Sequence, residues 1–284
     1  MGIALGLGAA VCWGLADYFA ALASRALGTL RVVLAFHVLA TVFLALLVLV
    51  TGALDGVGRS DVWPLAVVGA IGWLSYLAFY RALAIGPISV ASPIVSGYAA
   101  VTVVLAVIIA GERLSGLGLV AVFVAFGGVA LASFEPRSAF AGGISGLGVT
   151  FAVLAMILIG GFVFGVSYYR DELGWLAPIF LARGFATLFL LANAGATGDW
   201  RFPRLRERTG LALAFIALVD TAGYVSFNVG TEHADTSVVA TASAPYSTIP
   251  IVAGVLLLHE RPVPTQWIGI GLVVAGLVLL GLAS

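Results

Sequence analysis

The sequence predicts an all-α integral membrane protein whose ten transmembrane helices form two inverted five-helix repeats around a central cavity. The first observation is the composition: of 284 residues, 62% are hydrophobic and only 9% are charged, whereas a soluble domain carries about 25% charged residues. The second is the grouping of apolar residues into ten long runs, and the third is a repeat that relates the two halves. This composition excludes a soluble enzyme, a disordered chain and a nucleic-acid-binding protein.

Each apolar run has the length of about 20 residues that a transmembrane helix needs. In chain order, the ten predicted spans cover residues 3–23, 31–51, 63–85, 90–110, 116–133, 144–168, 175–196, 210–231, 236–258 and 265–283. The runs are continuously apolar, which indicates helices, because the strands of a membrane barrel alternate apolar and polar residues. The longest polar connection, residues 198–209, is predicted to be an interfacial loop or short helix, with a binding arm as the alternative.

Three prolines, Pro93, Pro245 and Pro250, lie inside spans four and nine. Proline lacks the backbone N–H that continues a helix, and broken helices at membrane depth usually border a cavity. We therefore predict that spans four and nine are kinked and line the cavity. Spans five and ten carry no charged side chain, and we predict that they face lipid.

The two halves of the chain match each other in polar positions and in order. At an offset of 148 residues the pairs include Glu112-Arg113 with Glu260-Arg261, Ser89-Val90 with Ser237-Val238, Tyr76 with Tyr224, Phe79 with Phe227, Tyr98 with Tyr246 and Gly128 with Gly276. Nearer the start of each half the offset is 146 residues, and it pairs Thr41 with Thr187 and His37 with Arg183. Five spans per half is an odd number, so the second half enters the membrane in the opposite sense. We place the repeats at residues 1–138 and 139–284. Inverted repeats are common in alternating-access transporters, which bind substrate between the halves near the bilayer midplane.

Several motifs resemble the EamA-type members of the drug/metabolite transporter superfamily. They are Trp13-Gly14 in span one, Gly111-Glu112-Arg113-Leu114-Ser115 after span four, its copy His259-Glu260-Arg261 after span nine, and Arg183 in span seven. Tyr224 with Asn228-Val229-Gly230 is similar to the bacterial amino-acid exporters of that group. The family often has an arginine in span two where this chain has His37.

The resemblance implies a ten-helix basket in a bacterial inner membrane, with a cavity lined by spans one to four and six to nine. It also implies that both termini are cytoplasmic. Eight loop arginines would then lie outside and three inside, so the positive-inside rule favours the opposite orientation.

Polar and aromatic side chains inside the apolar spans are the candidate substrate-binding residues. An ionisable group in a span costs at least about 2.5–3.5 kcal/mol and usually faces a cavity or a partner. The candidates are Trp13, Asp17, His37, Tyr76, Tyr80, Tyr98, Arg183, Asp220, Tyr224, Asn228, Ser243 and Tyr246. Tyr224 and Asn228 follow Asp220 at four-residue steps, which places all three on one helix face.

Two interpretations are open for each charged candidate. Asp17 either binds a substrate ammonium or a proton, or pairs with an arginine such as Arg25. His37 either hydrogen-bonds substrate or is a packing residue. Arg183 either binds a substrate carboxylate or forms an ion pair with Asp220 or Asp17, and the ion pair is slightly favoured. The two Glu-Arg pairs after spans four and nine are predicted to form ion-pair networks at helix ends.

We predict a secondary transporter of a small organic metabolite, with amino-acid export as the leading hypothesis. Drugs are alternative cargos, and so are sugar phosphates and nucleotide sugars, although Arg183 alone is a clearly mid-span cation. A membrane-embedded enzyme that acts on lipid is the alternative outside the class of transporters.

The sequence contains no H-x-E, C-x-x-C or G-x-S-x-G motif. We therefore predict no enzyme activity, no metal and no cofactor. The expected partners are the substrate, membrane lipid and, if transport is coupled, a proton. A monomer is sufficient because one chain supplies both halves.

Overall fold

The computed structural model describes residues 1–113, 115–132, 146–198 and 207–283. Its helices are α1 (Gly2–Leu27), α2 (Thr29–Thr51), α3 (Arg59–Ile85), α4 (Ile88–Ser96), α5 (Tyr98–Ile109), α6 (Gly116–Ala132), α7 (Gly146–Tyr168), α8 (Arg170–Leu173), α9 (Leu176–Thr197), α10 (Glu207–Thr231), α11 (Thr236–Ser243), α12 (Thr248–Leu257) and α13 (Pro264–Ala283). Most of the predicted interfacial loop at 198–209 and the predicted repeat boundary at 138/139 lie outside the described residues.

All ten predicted spans are helical in the residues that the structure describes. Nine helical stretches among the described residues are long and apolar enough to cross a membrane, and α6 is a shorter apolar helix. Spans four and nine are both broken, as their prolines predict. Span four consists of α4 and α5, which meet at Gly97, and Ser96 donates to the Pro93 carbonyl at 2.7 Å beside this break. In span nine a 3-10 turn at Ala244–Ser247 separates α11 from α12.

The two repeats run in opposite directions through the bundle. A Cβ placed on Gly2, where α1 begins, would lie 2.5 Å from the Cβ of Ala234, so these two segments touch. Arg170, just after α7, donates to the carbonyl of Thr231, three residues before Ala234. Helix α1 therefore starts at the same face where its counterpart α7 ends. We call this the terminal face, because a chain with an even number of spans begins and ends on the same side of the bundle. The other side, where α1 ends at Arg25, is called the opposite face.

The last spans of the repeats, α6 and α13, pack against each other at the edge of the bundle. A Cβ on Gly128 would clash with the backbone nitrogen of Val273 in α13, and one on the matched Gly276 would lie 2.5 Å from the backbone nitrogen of Ala125 in α6. Small residues allow this close approach of helices in lipid. Phe123 and Val278 on the outer sides of the two helices are 69% and 53% exposed, as expected for side chains that face lipid.

Substituting Gly128 with Ala is expected to destabilise the protein by about 1–3 kcal/mol, because the added methyl group overpacks a backbone contact. Thermal unfolding in detergent micelles measures the effect as a lowered Tm. The neighbouring Gly127→Ala variant is a matched control, since a Cβ there meets nothing within 4 Å. The control should unfold at or slightly above the wild-type temperature, because Ala favours the helix over Gly. Equal melting temperatures for the two variants would contradict the close crossing.

Candidate functional site

A small cavity lies between the two repeats, and its volume is about 40 Å³. Six spans contribute its lining: one, three, four, six, eight and nine. The lining residues are Trp13, Asp17, Tyr76, Phe79, Tyr98, Ile159, Val163, Asp220, Tyr224 and Tyr246. Binding pockets for small organic ligands usually measure about 300–1,000 Å³. The cavity in this conformation has room for a few water molecules, and it must widen before a metabolite can enter.

Two repeat-related pairs of tyrosines form much of the cavity wall. Tyr76 donates a hydrogen bond from its hydroxyl to the hydroxyl of Tyr224 at 2.6 Å. The rings of Tyr98 and Tyr246 lie 6.0 Å apart. The edge of Trp13 meets Tyr224 with a ring-centre distance of 4.9 Å. The internal symmetry of the sequence therefore places equivalent phenols opposite each other and joins the two repeats at the cavity.

Asp17 in α1 is the carboxyl group of the cavity that has no basic partner among the described residues. The Asp17 side chain is buried, and the Tyr80 hydroxyl is 3.4 Å from its Oδ1. Arg25, which the sequence offered as a partner, lies instead at the end of α1 beside Glu260, 3.6 Å away. In the part of the chain that the structure describes, no ion pair includes Asp17. This leaves a carboxyl group surrounded by aromatic rings.

Arg183 and Asp220 form a fully buried ion pair between Nη2 and Oδ2. The guanidinium of Arg183 also lies over two aromatic rings, 4.8 Å from the centre of Tyr224 and 5.5 Å from that of Tyr76. Such cation–π contacts favour a cation that has lost its water. Asp220 lines the cavity, whereas Arg183 lies behind the two tyrosines. Of the two interpretations of Arg183, the structure contains the ion pair.

His37 occupies the position that corresponds to Arg183 in the first repeat. Its ring lies 4.2 Å from Tyr76, the counterpart of Tyr224, so both residues contact equivalent tyrosines. The residue equivalent to Asp220 is Gly72, and neither nitrogen of His37 has a hydrogen-bond partner among the described residues. The charged pair is therefore a feature of the second repeat alone, and it makes the site asymmetric.

The remaining candidates lie directly behind the cavity wall and support it. Ser243 is hydrogen-bonded to the hydroxyl of Tyr98 at 2.7 Å, and Asn228 donates to the Tyr224 carbonyl at 2.8 Å. The structure thus brings all twelve predicted residues to one region. Seven line the cavity: Trp13, Asp17, Tyr76, Tyr98, Asp220, Tyr224 and Tyr246; five lie behind it: His37, Tyr80, Arg183, Asn228 and Ser243. Within the described ranges, no group of three His, Cys, Asp or Glu side chains could hold a metal ion.

Three apolar residues of the cavity wall, Phe79, Ile159 and Val163, are absent from the predicted set. A search for polar groups in apolar spans cannot find them, because their side chains resemble those that face lipid. The repeat nevertheless pointed to two of these residues. Val163 is the counterpart of Asp17, and Phe79 matches Phe227.

A helical bundle of two inverted repeats with a cavity between them is common among membrane transporters. The sequence profile of the EamA-like transporter family matches residues 1–134 and 146–282. The chain belongs to this family of the drug/metabolite transporter superfamily, and it is a multi-pass membrane transporter. Comparison with curated proteins gives no match. Among solved structures 28 chains match, and one crystal structure, 17% identical, covers 99% of this chain and 96% of its own length with a TM-score of 0.68. At that identity the likeness shows the shared fold.

Proposed function

We propose that this transporter exports amino acids by alternating access between its two repeats. The observation that carries the proposal is Asp17, a buried carboxyl group without a basic partner in the described part of the chain. The cavity around it is walled by Trp13 and four tyrosines. A carboxylate together with aromatic faces is the usual environment that binds a substrate ammonium group. The proposed role of Asp17 is therefore to hold the amino group of the cargo.

The carboxylate of the cargo is assigned to Arg183. Its Nη2 pairs with Asp220, whereas Nε and Nη1 have no hydrogen-bond partner among the described residues. Each unpaired N–H of the guanidinium can donate a charge-assisted hydrogen bond to a carboxylate. Tyr76 and Tyr224 lie between Arg183 and the cavity, so the cargo carboxylate reaches Arg183 when these rings separate and the cavity widens. The similarity of Asn228-Val229-Gly230 to bacterial amino-acid exporters supports this assignment.

A second cargo class is amines that lack a carboxylate, including cationic drugs. The observation that favours it is the pairing of Arg183 with Asp220, which already neutralises the guanidinium. Asp17 then determines the charge preference of the site. Sugar phosphates and nucleotide sugars fit poorly, because the cavity lining in the described chain includes two carboxyl groups and no arginine.

The proposed direction of transport is based on the family resemblance, and the proposed coupling is based on the cavity. We place the terminal face in the cytoplasm of a bacterium, as the family resemblance implies, and the opposite face outside. A proton and a cargo ammonium would compete for the single carboxyl group of Asp17. Such competition makes Asp17 the candidate for proton antiport, because each ligand leaves the site before the other can bind.

Counterflow in proteoliposomes with a matched panel of labelled compounds tests the proposal. The panel pairs neutral amino acids with the amines obtained by removing their carboxyl group, and adds one sugar phosphate. We expect uptake of amino acids above that of empty liposomes, with weaker uptake of the amines. Uptake of amines alone would favour the second class. Uptake of the sugar phosphate alone would overturn both assignments while leaving the transporter fold intact.

A further inference from the structure

Glu260, which follows span nine, caps the start of span four at the opposite face. Its Oε1 accepts a hydrogen bond from the backbone N–H of Ile88 at 3.0 Å, and its Oε2 accepts one from Ser89 at 2.8 Å. The first N–H groups of a helix have no partner inside the helix, and a negative charge there is favoured by the helix dipole. One carboxylate thus joins the end of span nine to the first turn of α4.

Arg25 extends this junction to two further helices. Its Nη2 lies 3.6 Å from Glu260 and donates to the Gly86 carbonyl at 2.8 Å, while its Nε donates to Leu83 at 3.2 Å. The ends of α1, α3 and span nine and the start of α4 are therefore tied together. This junction lies at the opposite face, where α1 and α3 end and α4 begins.

The repeat supplies the same components at the terminal face. Glu112 corresponds to Glu260, and the loops that carry them fold alike: Glu112 N donates to Ala106 O at 3.1 Å and Glu260 N donates to Gly254 O at 3.0 Å. Gly111 and His259, the residues before the glutamates, both have a left-handed backbone, with φ of 74° and 56°.

An arginine at the terminal face makes a contact equivalent to one of Arg25, although the residue that matches Arg25 in the repeat is its neighbour Asp171. Arg170 donates to the carbonyl of Thr231, which is the repeat equivalent of Leu83. The equivalent of Ile88 is Thr236, the first residue of α11. Every part of a second junction is therefore present.

Among the described residues, the second junction is not assembled in this conformation. Within the described residues, the side chain of Glu112 makes no hydrogen bond, and the N–H of Thr236 is not capped by it. Arg170 pairs with its neighbour Asp171 at 2.8 Å instead. In the described residues, Glu260 caps a helix of the other repeat at the opposite face, whereas Glu112 does not do so at the terminal face. The sequence repeat does not predict this difference.

We propose that Glu260 and Glu112 are alternating gate residues: each caps the first turn of the broken span in the other repeat when its own face is closed. Cargo reaches the opposite face when Glu260 leaves Ile88 and Ser89 and Glu112 caps α11. This proposal rests on the alternating access proposed above, but it is independent of the cargo.

One residue difference favours closure at the opposite face. A Cβ on Gly254 would lie 2.6 Å from Oε2 of Glu260 and 3.2 Å from the backbone nitrogen of Ser89. The glycine therefore leaves the space in which the carboxylate caps α4. The equivalent residue at the other gate is Ala106, which carries the methyl group that Gly254 lacks. The Glu260 gate can close more tightly than the Glu112 gate.

The solvent accessibility of a single cysteine beside each gate can be measured in the absence of cargo. In a Cys12→Ser background, Ser92→Cys lies one turn inside the Glu260 gate, and Ala240→Cys is its repeat equivalent on α11; both native residues are fully buried. The rate of reaction with a water-soluble maleimide is measured for each in detergent micelles. We expect Glu260→Gln to increase the rate at Ser92→Cys about ten-fold, because charge-assisted hydrogen bonds are lost, and to slow the reaction at Ala240→Cys.

Glu112→Gln is the matched variant and should leave Ser92→Cys no faster than in the parent. Gly254→Ala should act in the same direction as Glu260→Gln, and Gly271→Ala, which meets nothing within 4 Å, is its control. Gly254→Ala also carries the test if Glu260→Gln is not recovered as a folded protein. An unchanged rate at Ser92→Cys in both gate variants, or an equal increase with Glu112→Gln, would overturn the proposal. Neither result depends on which compound is transported.

Discussion

Substituting Asp17 with Asn should reduce transport of amine-bearing cargo about 100-fold or more. Removing one partner of a buried, hydrogen-bonded charge pair costs about 2–5 kcal/mol of binding, and each 1.4 kcal/mol is a factor of about ten. Asparagine has nearly the same shape as aspartate but cannot attract an ammonium group by charge. Initial rates of counterflow at several cargo concentrations measure the effect. The exposed Asp55→Asn variant, in the loop between α2 and α3, is the matched control and should transport normally.

The thermal stability of Asp17→Asn should stay the same or increase, although its transport activity falls. An unpaired carboxylate in a membrane span costs free energy, and a neutral residue of the same size removes that cost. The Tm of Asp17→Asn in detergent should therefore equal or exceed that of the wild type. If Asp17 exchanges a proton for cargo, the remaining transport of the variant should also be insensitive to an imposed pH gradient. Normal transport by this variant, or a large fall in Tm, would contradict the role of Asp17.

The ten spans and the inverted repeat could be predicted because both depend on local information. A run of about 20 apolar residues is sufficient to span the bilayer, and matched residues such as Tyr76 and Tyr224 reveal the repeat without any structure. The kinks in spans four and nine follow from the backbone chemistry of proline. The pairing of equivalent tyrosines across the cavity also follows from the symmetry, once the halves are known to be inverted.

Contacts between the two halves could not be predicted in the same way. Glu260 caps Ile88, which is 172 residues away in the chain, and only the packing of one repeat on the other brings them together. The sequence likewise left Asp17 and Asp220 as equal partners for Arg183. The choice depends on which carboxylate the packed helices place beside the guanidinium, and periodicity within one helix does not contain that information.

The apolar wall residues were missed for a different reason. Val163 and Ile159 lie on α7 and line the cavity, whereas Ile157 on the same helix is 51% exposed. All three are aliphatic, because the bilayer and the cavity wall accept the same side chains. Polar residues show where a cavity is, but they do not show its apolar part.

Breaking the ion pair of Arg183 and Asp220 from either side should destabilise the protein by about 3–5 kcal/mol, because it leaves an uncompensated buried charge. Arg183→Met and Asp220→Asn are the two single variants, and thermal unfolding in detergent measures both. A difference of this size corresponds to a Tm lower by roughly 10 °C. Arg59→Met, which removes an exposed arginine at the start of α3, is the control and should unfold like the wild type.

The double variant of Arg183→Met with Asp220→Asn separates the two functions that this pair could serve. Each single variant leaves one uncompensated buried charge, and the double variant leaves none, so the double variant should recover most of the lost stability. If the pair only locks the helices, transport of amino acids should recover together with the fold. If Arg183 also binds the cargo carboxylate, as proposed, the refolded double variant should transport amines but not the corresponding amino acids. Equal recovery of both transport activities would limit Arg183 to a structural role and leave Asp17 as the charged group that selects the cargo.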